Sequence, residues 1–149
     1  MKTSVPPRHG PSWPRRATLL LLLAGAAPQV ACSEPLSSAD VATLDEARRL
    51  HEGGQALLVD IRESDEHATG VAAGALLLPM SQLQRRIDEL LTDPGRPVLL
   101  ICHTQNRSGR TLKALRRHGY GHVRYVHGGM REWALRGWPM VRPPASGSR

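Results

Sequence analysis

The chain has 149 residues, enough for one domain with a modest hydrophobic core. Apolar residues make up 40% of it, the mean hydropathy is −0.32 and Phe is absent, so the core has to come from Leu, Val, Ile and Ala. The formal charge of +7 is partly carried by Lys2, Arg8, Arg15 and Arg16 in a leader. Without them sixteen basic residues face thirteen acidic ones, about +3, and no basic stripe is interleaved with aromatics, which excludes nucleic acid as a partner.

Residues 1–32 read as an export signal. The basic residues precede an eleven-residue apolar run, 17–27. That length suits a signal core of about 7–15 residues and falls short of the ~20 needed to span a bilayer. Val30-Ala31-Cys32 resembles the end of a bacterial lipoprotein signal, which would make Cys32 a lipidated N-terminus, although Gln29 stands where that signal usually has Leu. Ordinary cleavage, for example after Ser33, is the alternative, and the two stay open. The expected location is the periplasm, either soluble or held at the membrane through Cys32 alone. No disulfide is expected between Cys32 and Cys102. Residues 33–39 read as a polar linker, 40–142 as the folded domain and 143–149 as a disordered tail.

Within the domain, Thr43 and Glu46 have capping-box spacing and open a helix with Leu44, Ala47 and Leu50 on one face. Gly53-Gly54 stops it. Residues 56–60 form a short apolar strand ending in Asp60. Ser64 to His67 makes a helical turn that ends near Gly70. A second strand, 75–78, is closed by Pro79. Ser81 and Gln84 form another capping box, opening a helix with Leu83, Ile87, Leu90 and Leu91 inward. After a turn at 93–95 comes the most apolar strand, 97–101. A basic helix from Ser108 to His118 turns Leu112 and Leu115 inward and stops at Gly119. A strand at 122–126 and a helix from Met130 to Leu135 follow, the latter ended by Gly137-Trp138-Pro139. The arginine pairs 48/49, 85/86 and 116/117 read as solvated faces, and Met130, Trp133 and Trp138 as packing residues. Strands alternating with helices predict an α/β fold, with a mostly parallel central sheet covered by helices on both faces. Chemistry in such folds gathers at the carboxyl ends of the strands, where Asp60 and Cys102 stand.

Cys102 ends a strand just before a helix, beside unpaired N–H groups and the positive end of the helix dipole. Loop N–H groups can form an anion nest there, and Arg107 adds a full charge. A free thiol has a pKa of ~8.5, and such a setting favours the thiolate. A cation at a helix start opposes the dipole, so Arg107 asks for an anion. Asp60 and Arg62 read equally as a brace for the loop and as a direct substrate contact. His103 reads as an outward loop residue, a tuner of substrate choice or a proton donor. His118, His122 and His127 lack ligand spacing, so no metal is expected, and no cofactor is needed.

Several segments carry a family resemblance. They are 59–63 (Val-Asp-Ile-Arg-Glu), Gly70 to Ala75 followed by Leu78-Pro79, 102–108 (Cys-His-Thr-Gln-Asn-Arg-Ser), and Gly128-Gly129 to Trp133 followed by Gly137-Trp138-Pro139. In this order they resemble a single-domain rhodanese, a sulfurtransferase, over roughly residues 40–141. The resemblance implies a rhodanese-like three-layer fold with Cys102 as nucleophile and persulfide carrier. His103, Thr104, Gln105, Asn106, Arg107 and Ser108 would form the substrate-binding loop, with Asp60 and Arg62 in support. The implied reaction moves a sulfane sulfur from a small anionic donor such as thiosulfate to cyanide or a thiol. Two residues depart from the family pattern. Gln105 stands where Gly is frequent and would be strained if the position needs a positive φ, and Val71 stands where His is usual. The related phosphatase and arsenate reductase loops carry five residues between Cys and Arg. Here there are four, which argues for sulfur transfer. A module that carries or senses sulfur without turnover is the rival of another kind.

Overall fold

Five parallel strands form one sheet in the order β1-β5-β4-β2-β3: β1 Val41–Ala42, β2 Leu57–Asp60, β3 Leu76–Leu77, β4 Val98–Ile101 and β5 Val123–Val126. The chain is described by a computed structural model over residues 35–90, 93 and 95–143; the expected leader, the Cys32 junction and residues 144–149 lie outside the described residues. Every residue of β4 is buried, as the continuous apolar run requires of a central strand covered on both faces. Alternate side chains then supply two cores. Leu58, Leu99, Ile101 and Val126 pack with α1 (Leu44–Glu52) and α5 (Gly129–Leu135). Val59, Val98, Leu100 and Val123 pack on the opposite face with Leu112 and Leu115 of α4 (Asn106–Arg117) and with Leu83 and Ile87. The predicted three-layer arrangement therefore holds. Asp60 pairs with Ile101 in register, which brings the ends of β2 and β4 side by side.

The local departures have physical causes. Thr43 does cap α1, its Oγ1 accepting from the Glu46 N–H at 3.2 Å. The Glu46 carboxylate does not reach back; it takes the Arg124 guanidinium at 2.7 Å instead. Strand β1 was not expected, because two residues carry no readable periodicity. The helix predicted from Ser81 is broken into α3 (Met80–Leu83) and a 3-10 turn, Ile87–Leu90. Ser81 caps nothing there: its Oγ donates to Glu63 Oε2 at 2.8 Å, tying α3 to α2 (Ser64–His67). Arg86 and Arg116 are only about one-third exposed and are held by specific partners, where freely solvated faces were expected. Arg86 binds Glu89, Gln82 and the Leu77 carbonyl, and Arg116 donates to Asp40 at 2.6 Å and to the Gly121 and Val123 carbonyls. Leu36 packs on the α4-side core and Ser37 starts a 3-10 turn over Ser38–Asp40, so packed structure begins ahead of Asp40. Trp133 is buried, donates to the Pro139 carbonyl and meets Trp138 edge-on at 4.9 Å. Among the described residues no helix is long and apolar enough to cross a membrane, and no cluster of His, Cys, Asp and Glu is placed to hold a metal.

Candidate active site

Cys102 leaves β4 on the α4 side of the sheet and is 1% exposed. The Ser108 N–H points at its Sγ from 3.4 Å, and the Ser108 hydroxyl lies 3.5 Å from the same sulfur. Ser108 is itself fully buried, and its Oγ donates to the Gln105 carbonyl at 3.1 Å. A hydroxyl has one proton. Directed at Gln105 it leaves Oγ as acceptor for a thiol; turned to Sγ it serves a thiolate.

The loop between β4 and α4 takes its shape from α5. The Met130 and Arg131 N–H groups, at the start of α5, donate to the Cys102 and His103 carbonyls, both at 2.8 Å. The Gly128 N–H donates to Gln105 Oε1 at 3.2 Å. Turning these carbonyls toward α5 directs the peptide N–H groups away from it. The N–H groups of His103, Thr104, Gln105, Asn106 and Arg107 find no acceptor among the described residues. A run of successive unpaired N–H groups closing onto the first turn of a helix is an anion-binding concavity. The approach of α5 is backbone against backbone. Gly129 has φ +67°, and a Cβ there would stand 2.6 Å from the Cys102 oxygen and 2.7 Å from that of His103. Only glycine fits. Gln105, by contrast, has φ −160°, so the position does not need a positive φ and the condition for strain there is not met. The positive φ values sit on Gly128 and Gly129, and the Gln105 side chain binds the loop to them.

Arg107 does not stand free over the loop. Both terminal nitrogens bind the Glu66 carboxylate, at 2.6 and 2.5 Å. The Arg107 hydrogen bonds hold Glu66 down to a pKa of about 2, and the Glu66 hydrogen bonds in turn raise that of Arg107. With this charge neutralised, the unpaired backbone N–H groups are the local positive feature. Asp60 and Arg62 form a buried pair, 0% and 3% exposed, with three guanidinium-to-carboxylate bonds of 2.7–3.0 Å. Arg62 also donates to the Gly70 carbonyl at 2.7 Å and that of Glu66 at 3.3 Å, so it braces the α2 turn. Burial pushes the Asp60 carboxyl up, but His67 and Arg62 outweigh it and hold the group below its usual range. His67 is buried, with Nε2 3.5 Å from Asp60 Oδ1 and no hydrogen-bond partner of standard geometry among the described residues. Val71 pairs with Val141 through two backbone bonds of 2.9 Å, closing the C-terminal segment over Gly70.

Of the expected loop residues, His103 and Asn106 are exposed, Thr104, Gln105 and Arg107 half-buried, and Cys102 and Ser108 buried. Glu66 and His67 were missed. They lie far from the loop in sequence, and only the acidic first turn of α2 hinted at a partner for Arg107.

Comparison with known proteins agrees with this geometry. The model of the rhodanese-like domain family matches residues 43–136. Among curated relatives, the uncharacterized protein YqhL of Bacillus subtilis (strain 168) is 39% identical over 79 residues, 53% of this chain and 61% of that protein, so the chain spans less than two thirds of YqhL. A sulfurtransferase of Allochromatium vinosum is 38% identical over 97 residues, 65% of this chain and 89% of its own. Among solved structures, thiosulfate sulfurtransferase from Pseudomonas aeruginosa superimposes with a TM-score of 0.61 at 25% identity, over 70% of this chain and 20% of that one.

Proposed function

The chain belongs to the rhodanese-like domain family, and on that premise we propose that it is a sulfurtransferase carrying sulfane sulfur as a persulfide on Cys102. One observation carries the reading: the N–H groups of residues 103–107, with no acceptor among the described residues, follow directly on a buried cysteine whose Sγ already receives the Ser108 N–H. That arrangement suits an anionic sulfur donor, a thiolate and an anionic persulfide alike. In the first half-reaction the Cys102 thiolate attacks the outer sulfur of thiosulfate. The Sγ–S bond forms, the S–S bond of thiosulfate breaks, and its electron pair leaves on sulfite. In the second, cyanide or a thiolate attacks the terminal sulfur of the persulfide. The new bond forms there, the Sγ–S bond breaks, and the Cys102 thiolate returns with thiocyanate or a new persulfide as product. Electrons balance without an external oxidant, and two displacements replace one.

In this account Ser108 holds Sγ, and Gln105, Glu66 and the Asp60–Arg62 pair position the loop. The charge pairing of Arg107 with Glu66 favours the backbone over the guanidinium as the donor's partner. The leader extends the proposal to an exported protein. Its processing, including lipid on Cys32, would be read from the mass of the mature form. Sulfur transfer is tested by comparing thiocyanate formation from thiosulfate and cyanide in the wild type and in Cys102→Ser. Abolition in the variant is expected, and an unchanged rate would rule the mechanism out.

A further inference from the structure

We infer that the outer face of α4, beside the active loop, is a docking surface for an acidic protein that exchanges sulfur with Cys102. This rests on the sulfurtransferase reading for its biological purpose, though not for its geometry. No Asp or Glu occurs between Asp93 and Glu132, a stretch that includes the whole loop and all of α4. Several of the domain's carboxylates are committed elsewhere, Asp40 to Arg116, Glu46 to Arg124, Asp60 to Arg62, Glu66 to Arg107 and Glu89 to Arg86. Arg110, Lys113 and Arg117 take none of them. They are exposed and form no ion pair among the described residues. Spaced three and four residues apart on a helix, they fall on one side of α4. That side is opposite Ser108, Thr111, Leu112 and Leu115, which are buried.

Arg110 and Lys113 also line a groove of about 350 Å³ with Leu36, Tyr125 and the loop residues Gln105 and Asn106. The face thus offers an apolar floor, amides from the loop, and cations that run on along the helix past the groove. Gly109 keeps the groove open. A Cβ there would meet only Leu36 Cδ1, at an ordinary 3.8 Å, so packing does not demand glycine in this helix. A helix-interior glycine nonetheless costs stability relative to alanine. From Arg110 to Arg117 the cations extend about two helical turns, a length that suits a carboxylate-bearing protein surface more than a small molecule. Complementary charge of this kind mainly accelerates and orients encounter, and it weakens with salt.

The test needs no identified partner. The probe is a fluorescein-labelled peptide rich in Asp and Glu, without cysteine, set against its Asn/Gln counterpart, with binding to the full chain followed by anisotropy. The wild type should bind the acidic peptide at least about tenfold more tightly at low salt, and the difference should shrink toward about 0.15 M salt. Combined Arg110→Glu, Lys113→Glu and Arg117→Glu should abolish the preference. The same charge change made elsewhere, in Arg49→Glu, Arg85→Glu and Arg142→Glu, should preserve it. Equal binding of the two peptides, or equal loss in both triple variants, would overturn the inference. If the wild-type chain takes no sulfur from thiosulfate, the sulfurtransferase reading fails, and the peptide result still decides whether this face is an acidic-partner surface.

Discussion

Gly129→Ala should be the most damaging single methyl that can be added to this protein. Its cost can be separated into parts. A non-glycine residue at φ +67° costs about 1–2 kcal/mol from backbone sterics alone. Gly54 supplies the reference: its φ is +68°, and nothing lies within 4 Å of the Cβ position, so Gly54→Ala should show that backbone cost and no more. At Gly129 the new Cβ would press on the carbonyl oxygens of Cys102, His103 and Thr104, which are main chain and cannot swing aside. Relief requires α5 and the loop to separate, adding about 1–3 kcal/mol of overpacking and weakening two hydrogen bonds worth about 1 kcal/mol each. The total is about 3–6 kcal/mol, against about 1–2 for Gly54→Ala. Urea unfolding of the two variants beside the wild type measures the difference. Equal midpoints for Gly54→Ala and Gly129→Ala would refute the view that α5 sets the loop by backbone contact.

Other consequences follow from the same contacts. Asp60→Asn leaves the buried Arg62 guanidinium without its counter-charge and should cost about 3–5 kcal/mol, read from the denaturant midpoint; a loss below about 1 kcal/mol would mean that the pair is not buried as described. Because Glu66 is held at about 2, below its ordinary 4.5, its stabilisation is complete above pH 4.5 and is lost as pH falls through 2; the stability gap between wild type and Glu66→Gln should therefore close on acidification, and a pH-independent gap would contradict the ion pair. Gln105→Met removes the acceptor of the Gly128 N–H, so that amide should exchange with solvent about fivefold faster or more, the equivalent of about 1 kcal/mol. Gln105→Glu, which keeps an oxygen in place, should restore protection, and equal exchange rates in all three proteins would remove Gln105 from its positioning role.

The framework was legible where periodicity is strong. Val98–Ile101 and Leu57–Asp60 read as buried strands because both faces are apolar, and Thr43 declared its helix by a local hydroxyl-to-backbone bond. Legibility failed where a side chain found a distant partner better than its local one. Ser81 was diverted to Glu63, Glu46 to Arg124 and Arg116 to Asp40, and none of these pairings leaves a mark in local spacing. The site divides in the same way. Cys102, its loop and Ser108 announce themselves as a strand end running into a helix start. The Glu66 clamp on Arg107 bridges two elements that sequence alone does not bring together. Gln105 could be read only conditionally from the sequence, because the glycine on which the loop closely depends stands across the interface, at Gly129 of α5.

The persulfide is the claim on which the rest depends, and intact mass spectrometry of the full chain after incubation with thiosulfate tests it most directly. The account predicts one added sulfur in the wild type, removed by cyanide with thiocyanate released, and none in Cys102→Ser. An unmodified wild-type chain, or the same added sulfur in Cys102→Ser, would contradict it.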